Sequence, residues 1–296
     1  MSGPMIGRRT ALAAGLALPF IRPAFAQQGE PYVMGSLFPM SGPNAEFGEA
    51  FTRGAQVAIG HINADNMLRR PVRLQSEDSQ ALPQPSVVGM NKLVNIDHAS
   101  WVLSSWTATS KAIAPIGDHA KTIMVNGGAV GPDLSGLSPY FWNVIALAHL
   151  EVQAMVPFLV SQRNAKRVAL IYVDDPLGDA ILGQLREQLP RHGGTLVGSF
   201  SVPRAAQQFG SVVARVRQSR PDAVYIASFG AQQAQIVKGL RDNGVTQIIC
   251  SYSGFGLDSI RTLPEAEGVL FTSQKLDFAS GDPVTKRFAT DFEARF

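Results

Sequence analysis

Cysteine is nearly absent: Cys250 stands alone in 296 residues. A single thiol closes no internal disulfide, so burial alone must hold the core together. It lies in the apolar, strand-like run "QIICSYS", where a buried, inert thiol is the expectation and a reactive one the alternative. Histidine is sparse too. The five, at positions 61, 98, 119, 149 and 192, fall at no metal-ligand spacing, so no metal centre is expected. No phosphate-cradling Walker loop occurs. "CSYSG" (250–254) lacks the first glycine of a nucleophile elbow, which removes the case for Ser253 as a nucleophile. "GFGLDS" (254–259) half-matches GxGxxG but ends in serine, and reads as a loop opening a helix. Without clustered acid–base or metal-binding residues, the chain is expected to be neither an enzyme nor a cofactor carrier.

Long hydrophobic runs are missing as well. The longest candidate, Ala11 to Phe20, is about half of the ~20 residues a bilayer needs, and Pro19, Arg22 and Pro23 interrupt it. A stable membrane anchor is therefore not expected. Arg8 and Arg9 before this run, and "AFA" (24–26) after it, read as an export signal over 1–26 cleaved before Gln27. "RRTAL" resembles the twin-arginine signal, with Ala11 where phenylalanine is usual, and the general secretory route stays open beside it. That leader holds three of the 26 basic residues and none of the 23 acidic ones, so the remainder is charge-balanced. The sequence pI of 9.1 comes mostly from the leader, and no basic surface for nucleic acid is implied. No fixed-period repeat and no low-complexity linker appears; 45% hydrophobic and 17% charged residues fit a folded globular chain.

What the sequence does have is alternation. Strand-like runs at 32–40, 72–78, 101–105 and 122–128 are separated by segments of helical period at 48–65, 85–96 and 110–120, the last despite Pro115. After "YFWNVI" (140–145) and a helix over 149–163 the pattern restarts. Strands at 167–175, 195–202, 223–229 and 247–253 alternate with helices near 177–192, 208–219 and 231–243, followed by "GVLFTSQ" (268–274) and a helical 283–296. This predicts an α/β fold of two doubly wound, three-layer lobes, each a parallel sheet covered by helices on both faces. Phe288, Phe292 and Phe296 share one face of the last helix and call for a partner. That helix has no stop signal, so the chain reads as cut short.

In such sheets ligands sit beyond the carboxyl ends of the strands, where helix N-termini offer unpaired N–H groups. "PMSGPNAEFGEAF" (39–51) follows the first strand, with Ser41 in a tight loop and Phe47 above it. "SWTATS" (105–110) follows the third, with Trp106, Thr107, Thr109 and Ser110 placed to cap a helix or to bind a carboxylate. "NGGAVGP" (126–132) allows close backbone approach. In the second unit Leu177, Phe229 and "SYSGFG" (251–256) hold the equivalent strand ends. Each has a plainer use, as helix cap or core aromatic. Asp174 and Asp175 read as helix-start acids, with a ligand role as the alternative.

An export signal, the SGP-x-A-x-x-G loop at 41–48, "VALIYVDDPLGDAIL" (168–182) and "RPDAVYIASFGAQQAQIVKGLRDNG" (220–244), in this order, resemble the leucine/isoleucine/valine-binding family of periplasmic solute-binding proteins. The resemblance spans residues 30–296. It implies a type I periplasmic-binding fold, with an N-terminal lobe of 29–145 plus 275–296 (incomplete) and a C-terminal lobe of 146–274 lacking its final return segment. Crossovers are expected near 143–147 and 272–276. It further implies a periplasmic monomer that closes on a small-molecule ligand and presents it to the membrane subunits of an ABC permease. The family's carboxylate-holding loops correspond to Thr107, Ala108 and Thr109, and to Ala129 and Val130. Where amino-acid binders hold the ligand ammonium with an acid, this chain has Ser253, beside Tyr252. Phe47, Leu177 and Phe229 stand where those binders often carry tyrosine. A site without an ammonium counter-charge favours an apolar or aromatic carboxylate over a standard amino acid. A periplasmic sensor of a signalling system, a branched-chain amino-acid binder, and a urea or short-amide binder (from the likeness of "SWTATSKA" to that branch's loop) remain as alternatives.

Overall fold

Two five-stranded parallel sheets carry the chain, and both have the same strand order. The computed structural model describes residues 29–275, 277–279 and 281–296; the export signal expected over 1–26 lies outside them. The first sheet uses β1 (Tyr32–Phe38), β2 (Val72–Asp78), β3 (Trp101–Ser104), β4 (Ile123–Asn126) and β5 (Phe141–Asn143), ordered β2-β1-β3-β4-β5. Its crossovers are α1 (Ala45–Ala64), α2 (Pro83–Asn95) and α3 (Thr107–Ala120). The chain then passes through α4 (Ala148–Pro157), which runs on as a π-helical turn, Phe158–Gln162.

The second sheet repeats the pattern with β6 (Arg167–Val173), β7 (Thr195–Val202), β8 (Ala223–Ala227), β9 (Ile248–Ser251) and the two-residue β10 (Leu270–Phe271). Its order is β7-β6-β8-β9-β10, interleaved with α5 (Pro176–Arg191), α6 (Gly210–Gln218), α7 (Gly230–Asp242) and the short α8 (Asp258–Arg261). In each sheet the order reverses direction next to the lobe's first strand, between β1 and β3 and between β6 and β8. These are the topological switch points of doubly wound folds.

Burial explains the strand sequences. β8, "AVYIA", is buried at every position, as a central parallel strand covered on both faces must be. In β6 alternate residues enter different cores: Val168 and Leu170 pack toward α4 and α5, Ala169 and Ile171 toward α6 and α7. Cys250 is fully buried in β9, without a disulfide partner, and burial pushes its thiol pKa up. The expected 268–274 strand shrinks to Leu270–Phe271, because only these two residues pair with β9.

α9 (Pro283–Arg295) lies against α1. Arg287 bonds Asp65 at 2.5 Å, His61 meets Asp291 at 2.6 Å, Phe288 stacks on Phe292, and Phe292 meets Phe296 at a tilt. No helix among the described residues is long and apolar enough to cross a membrane.

Candidate functional site

The two switch points face each other. Between them lies a cavity of about 230 Å³, walled by residues from both lobes.

The same local device builds both sides. Gly48, in the first turn of α1, sits so close to β1 that a Cβ there would be 2.0 Å from the Pro39 carbonyl oxygen. Gly178, in the first turn of α5, stands in the same relation to the Val173 carbonyl oxygen, at 1.9 Å. Only glycine permits that approach of helix to strand. In both lobes the residue before this glycine, Phe47 or Leu177, is delivered to the cavity wall.

Trp106 joins the lobes. Its ring meets Phe47 edge-on at 5.3 Å and, across the cleft, Phe229 edge-on at 5.9 Å. Trp106 takes φ 63° and ψ 129° at the position preceding α3, a conformation that costs a bulky side chain of order 1–3 kcal/mol. Its indole N–H is buried and has no acceptor among the described residues. A strained backbone and an unanswered buried donor thus coincide in one residue of the cavity wall.

α3 starts at Thr107, three residues earlier than the sequence pattern implied. This corrects the reading of Thr109 and Ser110 as caps. Neither caps the helix, because both already lie inside its first turn. Thr109 turns its hydroxyl back to the carbonyls of Ser105 and Trp106. No side chain caps α3, so the N–H groups of its first turn remain unpaired by the helix. Thr107 lines the cavity, and its Oγ1 accepts the Gly131 N–H at 3.0 Å, which leaves the hydroxyl proton to give. The glycine-rich loop is pinned by buried Asn126. Its amide donates to the Ala129 carbonyl at 2.7 Å, and its oxygen accepts the Ala129 N–H at 2.7 Å. Ala129 therefore offers surface to the cavity rather than a donor, beside Val130.

Of the residues expected at the site, Phe47, Trp106, Thr107, Ala129 and Val130 line it from the first lobe. Leu177, Phe229, Tyr252 and Ser253 line it from the second. Ser41, Ala108 and Thr109 are not on the wall. Ser41 is exposed and bonded to Asp78 at 2.5 Å, anchoring its loop to the end of β2.

Sequence reasoning passed over Phe51, Ile145 and Gln274, which also line the cavity, and gave Asp175, a fourth lining residue, a ligand role only as the alternative to a helix-start acid. Phe51 was findable as the i+4 neighbour of Phe47 on one helix face. Ile145 and Gln274 lie in the two expected crossovers. Asp175 serves as the helix-start acid expected of it: its Oδ1 accepts from Leu177 N at 2.9 Å and Gly178 N at 3.0 Å. It also stands on the wall, so the site does hold an acid, contrary to the reading of a cavity without counter-charge. Burial raises its pKa, opposed by those N–H bonds and by nearby Arg204.

Behind the wall is a second carboxylate that the sequence did not signal. Glu151, buried on α4, accepts from Ser253 N at 2.7 Å, Ser253 Oγ at 2.8 Å and Thr272 Oγ1 at 2.6 Å. Burial raises its pKa against the pull of these three bonds. No cluster of three or more His, Cys, Asp or Glu suited to a metal occurs among the described residues.

The lobes are held shut by direct contacts. Glu46 accepts from the Ser259 hydroxyl and, at 3.3 Å, from its N–H; Arg204 donates to the Ala81 carbonyl at 2.8 Å. Gly230 (φ 56°) lies so near the opposite lobe that a Cβ would be 2.7 Å from Asn44 Oδ1.

A family model described as periplasmic binding protein matches residues 31–296. An amino acid binding protein of Pseudomonas aeruginosa is 29% identical over 248 residues, covering 81% of this chain and 66% of the relative. The Leu/Ile/Val-binding protein of Escherichia coli K12 is 23% identical over 269 residues, covering 89% and 72%. Among solved structures, a leucine binding protein from Thermotoga maritima superposes with TM-score 0.81 at 21% identity, over 90% of this chain and 76% of that one. A solute binding protein of an R. palustris ABC transporter, solved with 4-hydroxybenzoate, superposes with TM-score 0.80 at 22% identity, over 90% and 73%. The chain thus spans 66% to 76% of the lengths of these four proteins.

Proposed function

Since the chain belongs to the periplasmic binding protein family, we propose that it is the exported solute-capturing subunit of an ABC-type importer, closing its two lobes on a small organic acid, with an apolar or aromatic carboxylate as the preferred class. The observation that carries this reading is the wall itself: an aromatic slot formed by Phe47, Trp106 and Phe229, beside an uncapped helix N-terminus with the Thr107 hydroxyl. The aromatic rings supply apolar burial, and the N–H groups of α3 supply the positive end that a carboxylate needs. A volume of about 230 Å³ limits the guest to a small molecule. Lobe closure supplies the remaining affinity by removing the ligand from water. Permease subunits in the membrane are the partner, the periplasm is the compartment, and the leader at 1–26 is the address, by the twin-arginine or the general route.

The test is calorimetric titration and thermal melting of the chain with benzoates, phenylacetate and branched-chain acids. At least one should bind with micromolar affinity and, near 100-fold excess over Kd, add about 2.7 kcal/mol of stability. A chain that melts cooperatively but responds to no carboxylate would overturn the reading.

A further inference from the structure

We infer that Asp175 sets the ligand class: its unpaired carboxylate oxygen accepts a hydrogen bond from a donor group, hydroxyl or ammonium, carried by the captured acid. This rests on the capture reading above and narrows it. Asp175 is the one acid among the residues lining the cavity. Its two oxygens are used differently. Oδ1 takes both helix-capping N–H bonds, and Oδ2 has no hydrogen-bond partner among the described residues. Arg204, whose charge acts on it, forms no ion pair with it, and its guanidinium instead bonds the Ala81 carbonyl. Asp175 is half-buried on the cleft wall, so a bond from a ligand donor to this charged oxygen strengthens as closure excludes water from it.

The placement of charge points the same way. The α3 N-terminus and Thr107 belong to the first lobe, whereas Asp175 belongs to the second. A ligand with only a carboxylate satisfies the first lobe and leaves its apolar remainder against Asp175. One that also bears a donor satisfies both lobes, and so couples recognition to closure.

Matched ligand pairs test this by calorimetry on the full chain. Benzoate against 4-hydroxybenzoate differs by one hydroxyl; 4-methylpentanoate against leucine differs by one ammonium. In whichever pair binds, the donor-bearing member should bind roughly 10- to 100-fold tighter, as a hydrogen bond to a charged group implies. Asp175→Asn and Asp175→Ser both keep a good helix cap, so the fold is retained while the free acceptor is lost. Each should shrink the gap to about three-fold or less, chiefly by weakening the donor-bearing ligand. Which pair responds identifies the donor as hydroxyl or ammonium. Equal binding within a pair, or a gap that survives in both variants, overturns this assignment and leaves the capture reading standing. Failure of every acid to bind the wild type removes both.

Discussion

Two threonines two positions apart do different work. Thr107 presents its hydroxyl at the cavity and holds the Gly131 N–H, whereas Thr109 spends its hydroxyl on the carbonyls of Ser105 and Trp106. Thr107→Val should therefore weaken binding of the cognate acid by roughly ten-fold and strand a buried N–H, at a cost of about 1–3 kcal/mol. Thr109→Val preserves shape and removes only a local back-bond, so binding should stay within about two-fold and melting should change little. Equal losses of affinity in both variants, measured by titration, would mean that the Thr107 hydroxyl has no special part in binding. Glu151 makes a separate prediction at this scale. Its folded-state pKa is raised above the ordinary glutamate value, so the folded state holds that proton more tightly than the unfolded chain. Ionised, the group costs stability above its folded pKa, and this cost fades as pH falls through that value toward the unfolded one. Comparing wild type with Glu151→Gln should show the wild type losing more stability as pH rises through this window. A pH-independent difference in melting would contradict it. The substitution should also destabilise by about 1–3 kcal/mol, because one glutamine oxygen cannot replace acceptors for three donors.

At the scale of elements, much was legible and the remainder has identifiable causes. The alternation of β-branched runs with helical periods gave both sheets, and β2 and β7 match their expected bounds. Strand ends were overrun where the chain stays extended after pairing stops, as at Ser228–Phe229 beyond β8 and Tyr252–Ser253 beyond β9. Of those overrun residues Phe229, Tyr252 and Ser253 line the cavity, since a side chain just past the last ladder bond reaches beyond the carboxyl edge of the sheet. The start of α3 was misplaced because Trp106 turns the chain at a positive φ, which its residue type argues against. Asp175 was legible as a helix-start acid with a ligand role as the alternative: the sequence shows that an acid starts α5, but not that one of its oxygens remains free. Glu151 was invisible, because its partners lie 102 and 121 residues away. An element-level test follows from the shared glycine device. Gly178→Ala would force a Cβ to within 1.9 Å of a backbone oxygen, so α5 must shift off β6 and carry Leu177 with it. Loss of several kcal/mol of stability, or insoluble expression, is expected. An unchanged melting temperature would show that the helix has room to move.

For the whole molecule, the contacts that matter cross the cleft. Gly230→Ala places a Cβ 2.7 Å from Asn44 Oδ1 and 3.2 Å from the Pro43 carbonyl oxygen, at a positive φ that favours glycine. The lobes must then part, and affinity should fall by roughly ten-fold or more as the closed population drops. Glu46→Ala removes only two exposed bonds to Ser259 and should shift affinity by about three-fold or less. If the two variants are indistinguishable in titration, the Gly230 contact does not govern closure. Trp106 carries a last consequence, in optics rather than energetics. Of the three tryptophans, Trp142 is exposed and Trp101 half-buried, whereas Trp106 is wedged between Phe47 of its own lobe and Phe229 of the other. Parting the lobes withdraws one of its two ring neighbours and admits water to the indole, so its emission should move to the red on opening and to the blue on capture. The molecule thus contains an intrinsic fluorophore seated on the moving boundary, able to time closure without any label.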